Sequence, residues 1–223
     1  MEDKKVNKNG VQLDAALEQS FFEKNAKKIA YVAIAIVVLI IAVVAYNYYS
    51  TSRNQKAAEA LFPCEQYFQQ GNFEKALNGD GQNCVGLIQV ADQYGSTKSG
   101  NLAKLYAGIS YFRTEKYEDA VKYLSDFDGV GDEVVSPMAI GALANSYCEL
   151  GQNDKAVECL IEAAESADNA VLSPIYLIQA GEILESQNKQ DEALELYQQI
   201  KDNYRGSVQG SEIDKYIERV NAK

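Results

Sequence analysis

Few residues in this chain are equipped for chemistry. Four cysteines stand at Cys64, Cys84, Cys148 and Cys159, with no Cys-x-x-Cys pair among them. An oxidising compartment permits Cys64–Cys84 or Cys148–Cys159, the neighbours in sequence. Cys64, however, takes the small-residue place of a helical repeat described below, where a thiol packs as an apolar group. Packing is the favoured reading and pairing stays open. There is no histidine, which removes Ser–His and Cys–His nucleophile pairs, the commonest general base and every zinc site with imidazole ligands. Carboxylates gather in Ser125–Glu133 as Asp126, Asp128, Asp132 and Glu133. Clustered carboxylates can hold Ca2+, but Gly129 directly follows Asp128 and no Glu stands at the twelfth place of an EF-hand loop. The stretch reads as a solvated turn. Gly79-Asp80-Gly81 lacks the third glycine and the strand that a nucleotide loop requires. Glu182 and Glu185, at i and i+3, read as helix-surface acids. No catalytic, cofactor-binding or metal-ligating residue is assigned, and the chain is read as non-enzymatic.

The elements that carry these residues are helical. The 223 residues hold 47% hydrophobic and 24% charged residues, three Pro and no Trp, with Ala, Leu, Glu, Gln and Lys abundant. That composition favours helices over strands. Acids outnumber cations 32 to 21, a net −11, and a surface of that sign repels phosphate backbones, so nucleic-acid binding is excluded.

From Ile29 to Tyr46 there is no charge, Gly or Pro. As a helix this run spans about 27 Å, and continuing to Tyr49 brings it to about 30 Å, the thickness of a hydrocarbon core. Ile29 and Tyr31 mark one end and Tyr46 and Tyr49 the other, where rings and hydroxyls straddle the interface. Core helices of soluble proteins rarely run so long without a polar face. A cleaved signal has a shorter apolar run and no 28-residue polar tail before it. Residues 29–49 therefore read as a permanent membrane anchor. The tail, 1–28, carries six Lys against five acids, and positive residues in short flanks stay cytoplasmic. The expected orientation leaves 50–223 outside the cytoplasm with 15 cations against 27 acids, or −12. Within the tail, Leu13, Leu17 and Phe21 at i, i+4, i+8 predict a short amphipathic helix.

Beyond the anchor the chain repeats itself. Gly108, Tyr111, Tyr117, Ala120 and Leu124 recur 36 residues later as Ala144, Tyr147, Asn153, Ala156 and Leu160, and 37 residues after that as Gly181, Leu184, Gln190, Ala193 and Tyr197. Each copy holds an apolar-periodic stretch, a polar break and a second such stretch, which is a helical hairpin. Small residues at positions 8 and 20 of the copy let the two helices approach, and large residues at 11 and 24 are expected to fill the gaps above and below. A degenerate copy precedes these, with Cys64, Tyr67, Gly71, Phe73 and Ala76 at positions 8, 11, 15, 17 and 20; its second helix is broken by the Gly/Asn-rich Asn78–Val85. Such hairpins cannot bury their apolar faces alone and must stack. The expected boundaries are 57–95, 101–130, 137–168 and 174–205, with a polar capping helix at 207–222. The fold class is all-α: a transmembrane helix followed by an α-solenoid of about four hairpins, the first helix running on from the span with a kink at Pro63.

Gly108, Tyr111 and Ala120, with Leu143, Ala144, Tyr147, Ala156 and Ala163, resemble the tetratricopeptide repeat (TPR). The chain departs from that pattern in having no Trp, no closing Pro and a period of 36–37 rather than 34. The layout of short tail, single span and acidic outward repeats resembles the ancillary subunit of the bacterial Sec translocon. This resemblance implies a single-pass protein of the bacterial inner membrane with a periplasmic repeat domain. Its implied role is that of a chaperone-like accessory factor in protein export, with translocon subunits, periplasmic chaperones or translocating chains as partners. A scaffold for envelope assembly or division is the alternative.

The resemblance further implies an inner face built from positions 2, 5, 9, 12 and 13 of each first helix. On that face fall Leu102, Leu105, Ile109, Phe112 and Arg113, then Met138, Gly141, Asn145, Cys148 and Glu149, then Ile175, Ile178, Glu182, Glu185 and Ser186. Leu105, Ile109, Phe112, Asn145, Glu149, Ile178 and Glu182 are the expected contacts of a partner groove that begins apolar and ends acidic. TPR grooves that grip a C-terminal carboxylate use Lys, Asn or Arg here. This face has almost none, so that ligand is disfavoured.

Overall fold

A computed structural model describes residues 8–222, with side chains from Asn25 onward. The described residues are helical with no strand: α1 (Lys8–Gln69), α2 (Phe73–Asn78), α3 (Leu87–Tyr94), α4 (Lys98–Arg113), α5 (Tyr117–Ser125), α6 (Val135–Glu149), α7 (Asn153–Ala167), α8 (Ser173–Ser186), α9 (Gln190–Asn203) and α10 (Val208–Asn221). The chain divides into two compact units, Met1–Ser52 and Arg53–Lys223. The first consists of the leading part of α1. Its apolar side chains from Tyr31 to Tyr49 are exposed, and this is the one stretch among the described residues long and apolar enough to cross a membrane. The side chains of Leu13, Leu17 and Phe21 lie outside the described residues.

The second unit is a stack of hairpins, α4/α5, α6/α7 and α8/α9, preceded by the end of α1 with α2 and α3 and closed by α10. Pro63 sits inside α1, which runs on to Gln69. Every hairpin turns the same way. Position 15 (Gly71, Glu115, Gly151, Asn188) has φ between +60° and +74°. The next amide donates to the carbonyl of position 11, as in Asn72–Tyr67, Lys116–Tyr111, Gln152–Tyr147 and Lys189–Leu184, each at 2.9 Å. A left-handed residue closed by such a bond satisfies carbonyls that a helix end would otherwise orphan. Glu115 accepts this conformation without being glycine, at a cost of about 1–2 kcal/mol.

The two helices of a hairpin meet where position 8 has no side chain to spare. A Cβ on Gly108 would stand 2.5 Å from Cγ of Leu124, and one on Gly181 would stand 2.4 Å from Cε1 of Tyr197. Leu124 and Tyr197 are both position 24. The expectation that position 24 fills a gap beside the contact is therefore corrected: it seats directly on position 8. Position 20 (Ala76, Ala120, Ala156, Ala193) is fully buried in all four copies.

One pairing left open is answered and one further expectation is corrected. Cys64 and Cys84 are bonded, with Cα atoms 5.0 Å apart. Cys64 is still fully buried at its small-residue place; the insert folds back so that Cys84 reaches it. Asp80 holds this insert, its Oδ1 accepting from the amides of Gln82, Asn83 and Cys84 at 2.8–3.0 Å and its Oδ2 from the Tyr67 hydroxyl at 3.0 Å. Closing a loop of this length stabilises by on the order of 3 kcal/mol. Glu185 is not a surface acid. Its side chain is 6% exposed and paired with Arg219 of α10, and its Oε1 accepts from the Tyr197 hydroxyl at 2.8 Å. One carboxylate thus ties α8, α9 and α10 together. The α4 and α10 N-termini are built alike: the hydroxyls of Thr97 and Ser207 accept from the amides of Gly100 and Gly210 at 3.1 and 2.9 Å, caps worth about 1 kcal/mol each.

Gly181→Ala tests the helix contact. Its gain in helix propensity is about 1 kcal/mol, but overpacking against a buried, hydrogen-bonded ring costs about 1–3 kcal/mol. The net loss is expected to lower the melting temperature by a few degrees. Gly206→Ala, with open space around it, leaves the temperature unchanged within error.

Candidate partner-binding groove

The first helices of successive hairpins lie side by side, so the residues they share by position gather on one face. Between α4, α6 and α8 a hollow of about 500 Å3 opens to solvent. Of the expected residues, Leu102, Leu105, Ile109, Phe112, Arg113, Met138, Gly141 and Asn145 line it. Leu105 is its floor, buried at 5% exposure, while Met138 is 54% exposed at the rim. A second hollow of about 420 Å3 adjoins, lined by Asn145, Leu160, Gln179, Glu182, Ile183 and Ser186. Asn145 and Gln179 border both, so the two form one trough. Glu182 stands in its second part.

Five expected residues, Cys148, Glu149, Ile175, Ile178 and Glu185, line neither hollow. Ile178 is buried in the core with Leu177, Leu184 and Tyr197, whereas Leu105, likewise buried at the same position of α4, has the hollow above it. Glu149 stands beside the phenol of Tyr117, whose pKa is raised by burial and then by this carboxylate. Glu185 is in the clasp described above. Cys148 is half-buried, its thiol pushed up by burial and by Glu149.

Sequence reasoning missed Phe68, Tyr106 and Tyr176, which also line the first hollow. Phe68 occupies position 12 of the degenerate copy, the place of Phe112, so extending the positional rule to α1 would have found it. Tyr106 is at position 6, as are Ala142 and Gln179, which line the trough too; position 6 was not among the five considered. Its ring lies 4.7 Å from that of Phe68 and its hydroxyl donates to Glu65 at 3.1 Å. Burial, then the Glu65 carboxylate, pushes its pKa up to about 12. Tyr176 enters because Gly141 has no side chain: a Cβ there would stand 2.7 Å from the Tyr176 ring. Nothing in the linear sequence pairs those two residues.

The acidic turns are occupied by the fold's own donors. Asp132 accepts from the amides of Val134, Val135 and Ser136 ahead of α6, and Asp126 pairs with the largely buried Lys104 at 2.8 Å. Among the described residues no group of three or more His, Cys, Asp or Glu is placed to hold a metal ion.

The tetratricopeptide repeat-like domain model matches residues 19–216. The chain belongs to that family. No curated protein matches it. Among solved structures, the TPR-like chain is similar to the nearly identical TPR-like repeats attributed to a kinesin light chain of Podosopora anserina, at 16% identity and a TM-score of 0.53 over 76% of this chain and 84% of that one. A singly substituted form of the same repeats gives 17% and 0.52 over the same shares. At such identities the likeness shows the fold alone. It is the TPR-like stack, a fold that presents surfaces to other proteins.

The free thiols of this TPR-like unit make a testable contrast. Burial, then Glu162 and Glu158, pushes Cys159 up to about 11, and Cys148 is raised as well. Both stay protonated at neutral pH, and thiols react as thiolates. Iodoacetamide at about pH 8 is expected to label Cys148 and Cys159 at least roughly tenfold more slowly than a free cysteine, as read by mass spectrometry. Cys64 and Cys84 are expected to label only after reduction.

Proposed function

We propose that this chain is a membrane-anchored protein–protein interaction module whose trough receives a segment of another protein outside the cytoplasm. The observation that carries this is the trough itself: a solvent-open apolar hollow assembled from Phe68, Leu105, Ile109, Phe112 and Met138, with no reactive group among its lining residues. Apolar surface of this kind, rimmed by polar residues, is what a helix or extended segment of a partner covers. No catalytic role is proposed.

Residues 29–49 are read as the span, 1–28 as a cytoplasmic tail and 50–223 as a periplasmic domain of the bacterial inner membrane. Lys24, Lys27 and Lys28 before the apolar run support this direction. The Cys64–Cys84 bond supports it independently, since disulfides persist in oxidising compartments. The family match begins at residue 19 and crosses the apolar run, which supports the run being part of the family's shared sequence. As to partner, the layout of tail, span and acidic repeats supports an accessory place beside the Sec translocon, assisting chains as they emerge.

Two measurements test this in intact cells. Protease added outside spheroplasts is expected to digest 50–223, and a domain cleaved only from the cytosolic side overturns the orientation. A photo-crosslinking residue at Met138 is expected to capture channel subunits, periplasmic chaperones or translocating chains. Capture of envelope-assembly proteins alone would replace the translocon reading with the scaffold one.

A further inference from the structure

Resting on the trough as a binding site, its charges say what kind of segment it takes. Helices α6 and α8, which form its middle and far walls, contain no Lys or Arg. The lining cation is Arg113, at the end of α4 and on the apolar hollow. The lining carboxylate is Glu182, exposed on the adjoining hollow. Some carboxylates elsewhere in the unit are matched with cations, as Glu74 with Lys116, Asp126 with Lys104, Asp154 with Lys189 and Glu185 with Arg219, but what sets Glu182 apart is its place on the trough. Among the described residues, no cation pairs with Glu182 and no carboxylate with Arg113. The trough therefore has two unmatched charges of opposite sign, separated by apolar side chains and joined through Asn145 and Gln179.

We infer that the trough takes a protein segment in one direction only. Apolar side chains of the segment fill the hollow over Leu105, Ile109 and Met138, and a Lys or Arg at one end lies over Glu182. A basic residue at the opposite end meets Arg113 and is repelled, so charge sets the register as well as the direction. A polypeptide is the occupant rather than an anionic lipid surface, because Glu182 and the −12 of residues 29–223 oppose phosphate headgroups. The apolar contacts supply the affinity, and the charge pair supplies discrimination and on-rate.

The test uses the full chain in zwitterionic nanodiscs and two fluorescein-labelled twelve-residue peptides. Both carry the same Leu/Phe-rich stretch; one ends in Lys-Lys and the other in Glu-Glu. By fluorescence anisotropy at low salt the Lys-Lys peptide is expected to bind up to about fivefold more tightly, as one exposed ion pair with Glu182 allows, and ~0.5 M salt closes most of the gap. Glu182→Lys, on an exposed helix surface, is expected to abolish or invert the preference with unchanged melting temperature. Met138→Glu weakens the Lys-Lys and Glu-Glu peptides alike. Equal binding of the two peptides, with both lost on Met138→Glu, overturns the charge-directed inference and leaves the trough as a binding site. Failure of both peptides to bind the wild-type chain overturns the inference and counts against the trough itself. Binding of the chain to anionic vesicles that Glu182→Lys strengthens and the peptides cannot displace overturns it in favour of lipid.

Discussion

The stack depends on how closely two helices can approach. At position 8 of each hairpin there is glycine, alanine or a half-cystine, and at Gly108 and Gly181 the partner's side chain occupies the volume a Cβ would need. Interiors are packed to crystal density, so this is a fixed spacing rather than an average one. Leu124 and Tyr197, seated on those glycines, set where the second helix lies along the first. Because the same contact recurs, each hairpin presents its first helix to the same side, and residues 36 or 37 apart in sequence become neighbours across one face. The trough follows from this geometry, and no residue in it needs to be special for it to exist.

The first hairpin departs from this pattern, and both ends of the array are held by further means. In the first hairpin the second helix is interrupted after Asn78, and the chain recovers by a carboxylate that gathers three amides and a phenol, and by a covalent bond from Cys84 to the position-8 residue. At the other end a buried carboxylate links three helices. Glu185 is tolerated in such a place only because Tyr197 and Arg219 both reach it, since an unpaired buried charge costs several kcal/mol. These are polar devices inside an apolar stack, each fully partnered, and each sits where a neighbouring hairpin is missing.

The trough has a different character. Its aromatic and aliphatic floor is continuous with the core through Leu105, yet Phe112, Ile109 and Met138 remain reachable from solvent. The acidic balance of the unit keeps such a surface soluble without covering it. Read as an anchor, the apolar run of membrane-spanning length in the same chain restricts where the trough can meet its partners, and that restriction replaces the need for tight binding from free solution.

The sequence by itself determined the all-helical class, the hairpins, their period and the small residues at positions 8 and 20, because helical periodicity and glycine placement are local properties that each copy repeats. It also placed most of the trough, since Leu102, Leu105, Ile109, Phe112, Met138 and Asn145 follow from position within a copy. Only the tertiary structure decided which members of that set are exposed. Glu185 occupies the same position as Phe112 but is held by Tyr197 of α9 and Arg219 of α10, and no positional rule distinguishes a hairpin closed by a capping helix from one whose face stays open. The same holds for Tyr176 over Gly141 and for Cys84 beside Cys64. These are contacts between segments far apart or irregularly joined, and their identity is fixed by how the chain folds back, which periodicity does not encode.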